Sequence, residues 1–320
     1  MTATQLRPMR IAEIEPVADG IKRFRLVPTD GSPLLNYSAG SHIVVVMRDA
    51  DGRMWRNPYS LMGPLGNPAS YEISVLRVDE SRGGSEFMHR LPVGAEVQIT
   101  NPVNLFTINR QARKHLLVAG GIGITPLMSM LEELSSINAD FELRYKVRSL
   151  SRGAYCQKLV ERYGDRVKIY RSDRGEKLDL DRVLADQPLG THLYVCGPKE
   201  MIDWALETAR AEGWPEENLH SEQFGAPPAG NAFTVKLARS NREIRVGPQQ
   251  SILEALEEHG VDAPFLCRGG ACGQCETRVL ARDGELKHND HYLTDAERRS
   301  GDKIMICMSR VTGNSLTLDL

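Results

Sequence analysis

The sequence predicts a multidomain protein with an antiparallel β domain, an α/β domain built on a parallel sheet, and a small C-terminal β domain. Three observations support this prediction. The chain has 320 residues, more than most single hydrophobic cores hold. Its pattern changes near residue 112 from short strand-like runs to alternating strands and helices, and FGAPPAGNA at 224–232 is typical of a linker. We place the domains at 1–106, 112–225 and 233–320, with 226–232 as the linker.

Composition narrows the functional class. With 40 basic and 42 acidic residues, the chain lacks the basic excess that nucleic-acid binding requires. The start MTATQLRPMR has no apolar core of a signal peptide, and HLLVAGGIGITPLMSML is interrupted by glycine and proline. We expect a cytoplasmic protein with no membrane and no nucleic-acid partner. In that reducing compartment, clustered cysteines are more often ligands or redox groups than disulfides.

The first region contains short runs with strand composition, namely IKRFRLV, SHIVVVM, YEISVLRV and AEVQIT. Turn segments such as TDGS and DADG separate them. Short strands at regular spacing favour an antiparallel barrel or sandwich.

The second region alternates strands and helices. HLLVAGG is an apolar strand, and the following ITPLMSMLEELSSI carries Leu127, Met130, Leu131 and Leu134 at helical spacing. Thr125 is the expected N-cap, and Pro126 suits the first turn. THLYVCGP is a further strand that leads into a helix ending at Gly213. These units predict a parallel sheet.

The third region has two strand-like runs, a helix opened by Ser251, and the loop CRGGACGQC at 267–275. The spacing C-x4-C-x2-C with a distant fourth cysteine is typical of plant-type [2Fe–2S] sites. Its glycines let backbone N–H groups approach the sulfurs, and we expect Arg268 to stabilise the anionic cluster. A zinc site and a disulfide framework remain the alternatives. The four predicted ligands are Cys267, Cys272, Cys275 and Cys307.

Two segments of the first region have the chemistry of a flavin site. In WRNPYSL at 55–61, Tyr59 can stack on an isoalloxazine ring and Ser60 can hydrogen-bond its edge. In SRGGSEF at 81–87, two glycines and a serine open a helix and offer N–H groups and a hydroxyl to a phosphate. An exposed hairpin tyrosine and a plain surface turn explain the same segments equally well.

Two segments of the second region suit a dinucleotide. GGIGITP at 120–126 lies between a strand and a helix, so a pyrophosphate can approach its backbone. YVCGP at 194–198 lies at the carboxyl end of a strand, where ligands bind in parallel sheets. A tight strand–helix turn and a buried structural cysteine are the alternatives.

The order of these motifs, from YSL and GGS through GGIGITP and CGP to the cysteine loop, resembles the phthalate dioxygenase reductase family. That family includes vanillate O-demethylase and carnitine monooxygenase reductases. The resemblance implies an antiparallel β-barrel flavin domain, an α/β parallel-sheet nicotinamide domain and a β-grasp plant-type ferredoxin domain. It also implies electron transfer from NADH through FMN, rather than FAD, and a [2Fe–2S] cluster to a Rieske-type terminal oxygenase, through a transient contact.

Two alternatives stay open, namely electron donation to a cytochrome P450 and a ferredoxin-like carrier without flavin. No acid–base catalytic residue is expected. One departure from the family is clear, because its R-x-Y-S pattern has Asn57 in place of arginine, with Arg56 one residue earlier. The resemblance implies cofactor contacts from Arg56, Asn57, Tyr59, Ser60, Val75, Leu76, Arg82, Gly83, Gly84, Ser85 and Phe224 to the flavin, and from Gly121, Gly123, Thr125, Arg148, Ser149, Asp173, Cys196, Gly197 and Pro198 to the dinucleotide.

Overall fold

The computed structural model describes residues 6–50, 52–79 and 82–320. The first residues of MTATQLRPMR, Asp51 in DADG and Ser81 in SRGGSEF therefore lie outside the described part. The chain forms two compact units, Met1–Phe224 and Gly225–Leu320. The first unit contains both an antiparallel and a parallel sheet. The division into three domains remains a prediction.

The antiparallel sheet has the strand order β4-β3-β6-β1-β2-β5, with β7 paired to β3. Consequently β4 and β5 are the two edges, and an isolated bridge joins Met62, just beyond β4, to Glu72 in β5. A helix, α1, follows the β5 edge. The elements are β1 Arg7–Ala18, β2 Ile21–Pro28, β3 Ser41–Arg48, β4 Met54–Ser60, β5 Tyr71–Leu76, α1 Gly84–Arg90, β6 Glu96–Ile99 and β7 Val103–Asn104.

Strand β3 shows why this sheet has two buried faces. Ile43, Val45 and Met47 belong to the core of the antiparallel sheet. Because side chains alternate along a strand, His42 and Val44 point to the opposite face. Both faces are buried, since every residue from 41 to 47 is shielded from solvent. A polar side chain on β3 is therefore removed from water on either face.

The parallel sheet has the order β10-β9-β8-β11-β12, as the βα alternation predicts. Its strand ends place GGIGITP, VRS and CGP at one edge, because all five strands run in the same direction. The elements are β8 Lys114–Gly120, α2 Ile124–Ser136, β9 Phe141–Val147, α3 Cys156–Tyr163, β10 Val167–Arg171, α4 Leu180–Ala185, β11 Thr191–Cys196, α5 Lys199–Ala211 and β12 Leu219–Glu222.

The start of α2 differs from the prediction. A short 3-10 turn, Gly121–Gly123, precedes the helix, so Gly123 is the N-cap and Thr125 lies inside the first turn. The Thr125 hydroxyl donates to the Ile122 carbonyl at 3.0 Å instead of capping. Pro126 occupies the first turn as expected. The N-cap prediction failed because the glycine-rich turn already winds into the helix.

The second unit has a mixed sheet of order β14-β13-β19-β15-β17 and a separate β16–β18 pair. The parallel pairing of its first and last strands, with α6 packed beside them, is the predicted β-grasp arrangement. Ser251 opens α6 through a complete capping box. The elements are β13 Phe233–Leu237, β14 Arg242–Val246, α6 Ile252–Glu258, β15 Glu276–Arg282, β16 Leu286–Lys287, α7 Asp295–Ser300, β17 Lys303–Met305, β18 Arg310–Val311 and β19 Ser315–Leu318.

Across the described ranges, none of the helices combines the length and apolarity required to cross a bilayer.

Candidate functional site

The four predicted cluster cysteines converge in the second unit. The loop between α6 and β15 carries three of them, and Cys307 follows β17. The sulfurs of Cys275 and Cys307 lie 3.1 Å apart. Cys267 and Cys272 form a second hydrogen-bonded pair. Three of the four are buried, and Cys272 is half-buried.

This pairing favours the thiolate form of one cysteine in each pair. A hydrogen bond from Cys272 lowers the pKa of Cys267, and one from Cys307 lowers the pKa of Cys275, whereas the same contacts raise the pKa of Cys272 and of Cys307. The Gly269 N–H also points at the Cys267 sulfur, at 3.4 Å. Iron–sulfur ligands must be thiolates, and a [2Fe–2S] cluster takes two from the chain at each iron. The donor set therefore fits a diiron cluster, with one pair of thiols for each iron. Among the described residues, no group of three His, Cys, Asp or Glu side chains is arranged around a single metal ion.

The loop needs glycine at two positions. Gly270 and Gly273 have φ angles of 75° and 76°, in the left-handed region. A Cβ at Gly270 would lie 2.9 Å from the Asp290 Cα, and one at Gly273 would lie 2.3 Å from the Tyr292 ring. Any side chain at Gly273 would thus displace an aromatic ring that packs against the loop.

Arg268 makes contacts that the sequence did not predict, and its expected effect on the cluster stays a prediction. Its guanidinium is buried and forms an ion pair with Glu257 of α6, with Nη1 at 3.0 Å from Oε2. It also stacks over the Phe265 ring at 4.0 Å. This ion pair ties the cysteine loop to α6.

In the first unit, the flavin candidates gather where the edge strands β4 and β5 meet the start of α1. The Asn57 amide donates to the Tyr59 hydroxyl at 3.1 Å. Burial raises the pKa of Tyr59 to about 12, so the hydroxyl stays protonated. Asn57 also packs against the phosphate segment, because a Cβ at Gly84 would lie 2.5 Å from its amide nitrogen. The residue that replaces the family's arginine therefore links the tyrosine to the glycine turn.

The glycine turn before α1 is held in place by Trp55. The indole N–H donates to the Arg82 carbonyl at 3.1 Å, and the ring stacks on Phe87 at 4.9 Å. Gly83 has a φ of 105°, and its Cα faces the indole. Ser85 is buried, and its hydroxyl accepts the Val78 N–H at 3.2 Å. On β5, Val75 is buried and Leu76 half-buried.

Two buried polar atoms on the edge strand β4 and its neighbour β3 have no hydrogen-bond partner among the described residues. They are Oγ of Ser60 and Nδ1 of His42. The two residues are direct cross-strand partners on β4 and β3. Buried polar atoms in native proteins nearly always have partners, so the pair fits a site for a polar ligand such as a flavin edge. Sequence reasoning missed His42, although a lone histidine within the apolar run of SHIVVVM was a usable signal.

The dinucleotide candidates lie at the carboxyl edge of the parallel sheet. Gly121 has a φ of 53°, and none of the described atoms would lie within 4 Å of a Cβ there, so its backbone is open to a ligand. Gly123 differs, because a Cβ there would lie 2.3 Å from the Cys196 carbonyl oxygen. Gly197 similarly abuts the Gly120 backbone. Two of these glycines thus bring the loops after β8 and β11 into contact.

Cys196 is fully buried and pairs across the strands with Glu222. Burial, followed by the charge of Glu222, raises the pKa of the Cys196 thiol well above its ordinary value. The residue is therefore a neutral thiol rather than a nucleophile, and it immediately precedes Gly197 and the α5 N-cap Pro198.

The predicted adenosine-side residues follow β9 and β10. The Asp173 N–H donates to the Arg148 carbonyl at 2.9 Å, which brings the two loops together next to Ser149. Arg171 is engaged by Glu176 through Nε at 3.2 Å and Nη2 at 2.7 Å. Arg171 and Arg174, which flank Asp173, are the cations that could receive a 2′-phosphate, and the first is therefore already paired. Phe224 is 44% exposed at the end of the unit.

Comparisons with known proteins agree with this geometry. The family model of the dimethylamine monooxygenase subunit DmmA-like N-terminal domain matches residues 101–219, and the 2Fe-2S iron-sulfur cluster binding domain matches 235–312. The chain is 41% identical to the carnitine monooxygenase reductase subunit of Acinetobacter baumannii, over 99% of this chain and 98% of that one.

A second relative, the heme-dependent oxidative N-demethylase beta subunit of Ectopseudomonas mendocina, is 41% identical over 98% of this chain and 99% of its own length. Among solved structures, phthalate dioxygenase reductase superposes with a TM-score of 0.87 at 33% identity and covers 98% of both chains. That structure is described as modular, for electron transfer from pyridine nucleotides to [2Fe–2S].

Proposed function

This chain belongs to the phthalate dioxygenase reductase family, and from that premise we propose that it carries electrons from NADH through FMN and its [2Fe–2S] cluster to a Rieske-type oxygenase. It is an oxidoreductase component with a flavin, a pyridine nucleotide and a [2Fe–2S] cluster as its redox groups. The observation that carries the proposal is the grouping of four thiols into two pairs, in a chain that also has two neighbouring buried polar groups, Ser60 and His42, without partners among the described residues.

A bound flavin can take two electrons from a nicotinamide and return them singly to an iron–sulfur cluster. We assign the residues as follows. Tyr59 and Ser60 hold the isoalloxazine ring, with Asn57 fixing the tyrosine hydroxyl. The turn at Gly83, Gly84 and Ser85 supplies N–H groups to the flavin phosphate, held in place by Trp55. The flavin domain is then 1–106, the nicotinamide domain 112–225 and the ferredoxin domain 233–320.

The preference for NADH over NADPH is supported by the loop after β10. Asp173 is suited to a ribose hydroxyl and repels a 2′-phosphate. Arg171 forms an ion pair with Glu176, so Arg174 is the remaining cation next to Asp173. We place the dinucleotide pyrophosphate at Gly121, where the backbone is open, and the ribose near Arg148 and Ser149. None of the six cysteines is in a disulfide, which supports a cytoplasmic location.

The acceptor has two candidate chemistries. The reductase subunit of a carnitine monooxygenase supports an oxygenase partner, and we propose a Rieske-type one met through a small, transient contact. The heme-dependent N-demethylase relative gives a specific reason to test a heme acceptor as the second candidate.

Anaerobic spectroscopy of the purified chain tests the proposal. We expect flavin bands and iron–sulfur absorbance, released flavin with the mass of FMN, and bleaching of both features by NADH at lower concentrations than by NADPH. A Rieske oxygenase and a P450 are then compared as electron acceptors, with the chain alone as the blank. Cluster absorbance without flavin would leave only a ferredoxin-like carrier, and colourless, iron-free protein would refute the proposal.

A further inference from the structure

His42 is buried, and its Nδ1 has no hydrogen-bond partner among the described residues. The residue is 6% exposed. Two other buried histidines of the same unit behave differently. His115 uses both ring nitrogens, with Nε2 at 3.0 Å from the Asn109 carbonyl and Nδ1 at 3.3 Å from the Asp140 carbonyl. His192 contacts His220 at 2.9 Å. His42 therefore stands out as a buried imidazole whose partner lies outside the protein.

The position of His42 suggests where that partner lies. Ser60, directly opposite on β4, is 4% exposed, and its hydroxyl also lacks a partner among the described residues. Directly opposed residues of antiparallel strands point to the same face, with Cβ atoms about 4.5–5.5 Å apart. Two neighbouring unsatisfied groups on one face are explained together if a single polar ligand contacts both.

The chemistry of the pair narrows the ligand class. Burial lowers the pKa of His42 to about 4, so at neutral pH the imidazole is uncharged and offers one donor and one acceptor. A serine hydroxyl adds a donor and further acceptors. An uncharged pair of this kind does not suit a phosphate or a carboxylate. It matches a flat heterocycle whose edge alternates carbonyl oxygens and ring nitrogens.

We propose that His42 is a flavin-binding residue, and that its imidazole and the Ser60 hydroxyl form one cross-strand pair that hydrogen-bonds the polar edge of the isoalloxazine ring. This inference rests on the proposed flavin site and adds to it a contact from β3. His42 lies one strand in from the edge strand β4, which carries Tyr59 and Ser60, so the ring contacts β3 as well as β4.

The test uses the full chain, stripped of flavin and titrated with FMN. In His42→Leu, we expect the dissociation constant for FMN to rise about three- to tenfold, the value of one lost hydrogen bond. The flavin-free variant should melt no lower than the wild type, because an unsatisfied buried polar group has been removed. The stabilisation that excess FMN confers should shrink by RT times the logarithm of that factor, about 0.6–1.4 kcal/mol.

His115→Leu is the matched control, because it removes a buried histidine that is already satisfied within the protein. It should lower the melting temperature with and without FMN and leave the FMN dissociation constant unchanged. In Ser60→Ala combined with His42→Leu, the loss of FMN affinity should be smaller than the product of the two single losses, since both contact one ligand.

An unchanged FMN dissociation constant in His42→Leu, or a flavin-free variant destabilised as much as His115→Leu, would overturn the assignment. Should His42→Leu fail to fold, His42→Ala, which cannot hydrogen-bond the ring either, must show a raised dissociation constant, and a wild-type value there would overturn it equally. A wild-type chain that binds no flavin would instead refute the proposed function, which keeps the two failures distinct.

Discussion

In the second unit, three of the four cluster cysteines lie within residues 267–275, whereas the candidate flavin residues of the first unit come from β3, β4, β5 and the start of α1. Most of the cluster site comes from a single loop, with Cys307 added after β17, whereas the candidate flavin site forms only after distant strands have paired. The loop keeps its shape through local means, namely left-handed glycines and backbone N–H groups directed at sulfur. The assembled site depends instead on contacts between elements, such as Asn57 between Tyr59 and Gly84.

This contrast predicts that the two sites can be damaged separately. The largest effect should come from Cys272→Ala, which removes one thiolate from its pair with Cys267. We expect iron content and electron transfer to a protein acceptor to fall to background, while NADH-driven reduction of a small dye persists. Iron assay, visible spectra and dye assays measure this.

Cys156→Ala is the control for this prediction, because Cys156 is a buried cysteine outside the cluster set. It should keep its iron and its transfer to the protein acceptor. If dye reduction disappeared together with the cluster in Cys272→Ala, electrons would not pass through the flavin first, and the proposed order of transfer would be wrong.

The same contrast explains what the sequence could predict. The cysteine spacing, the Ser251 cap and the βα alternation are local signals, and the structure has the elements they imply. The N-cap at Thr125 failed because a 3-10 turn of glycines shifted the helix start. The pairing of Arg268 with Glu257 could not be foreseen, since it joins residues on a loop and a helix whose orientation is set by packing.

The candidate residues for the flavin edge could be predicted only in part, for the same reason. Tyr59 and Ser60 belong to a recognisable motif, but His42 becomes relevant only through the register of β3 against β4. Likewise, the sequence marks Gly123 as a dinucleotide candidate but does not reveal its close packing against Cys196. Burial and cross-strand pairing are tertiary properties, so sequence patterns cannot assign them.

The second prediction concerns how the loop is tied to its own domain. Glu257→Gln leaves the buried guanidinium of Arg268 without its counter-charge, which typically costs about 3–5 kcal/mol. We expect the free energy of unfolding of the second unit to fall by this amount. Chemical denaturation with the cluster absorbance as the probe measures it. The flavin-based transition of the first unit should not move.

Glu243→Gln in the same unit is the matched control, since Glu243 forms an exposed ion pair with Lys236 and is 62% exposed. It should change the free energy of unfolding by no more than about 0.5 kcal/mol. Equal effects of the two substitutions would mean that Arg268 finds another partner and does not depend on α6.

The smallest expected effect tests how the assembled site is supported. The Tyr155 hydroxyl and the Ser74 Oγ lie 2.6 Å apart and are both buried, and they join β5 of the antiparallel sheet to α3 of the parallel one. The Asp19 N–H reinforces this junction by donating to the Ser151 carbonyl at 2.7 Å. Tyr155→Phe should lower the free energy of unfolding of the first unit by about 1 kcal/mol, the typical worth of one hydrogen bond.

Ser74→Ala should cost a similar amount, and the double variant should cost less than the sum, because both substitutions remove the same bond. Chemical denaturation of the three variants measures this coupling, with FMN fluorescence as the probe. If the two losses simply add, the hydroxyls do not act on each other, and the junction between the sheets rests on apolar packing and the Asp19–Ser151 contact. A measured coupling would instead mean that the hydrogen bond between Ser74 of β5 and Tyr155, at the start of α3, supports the assembled site.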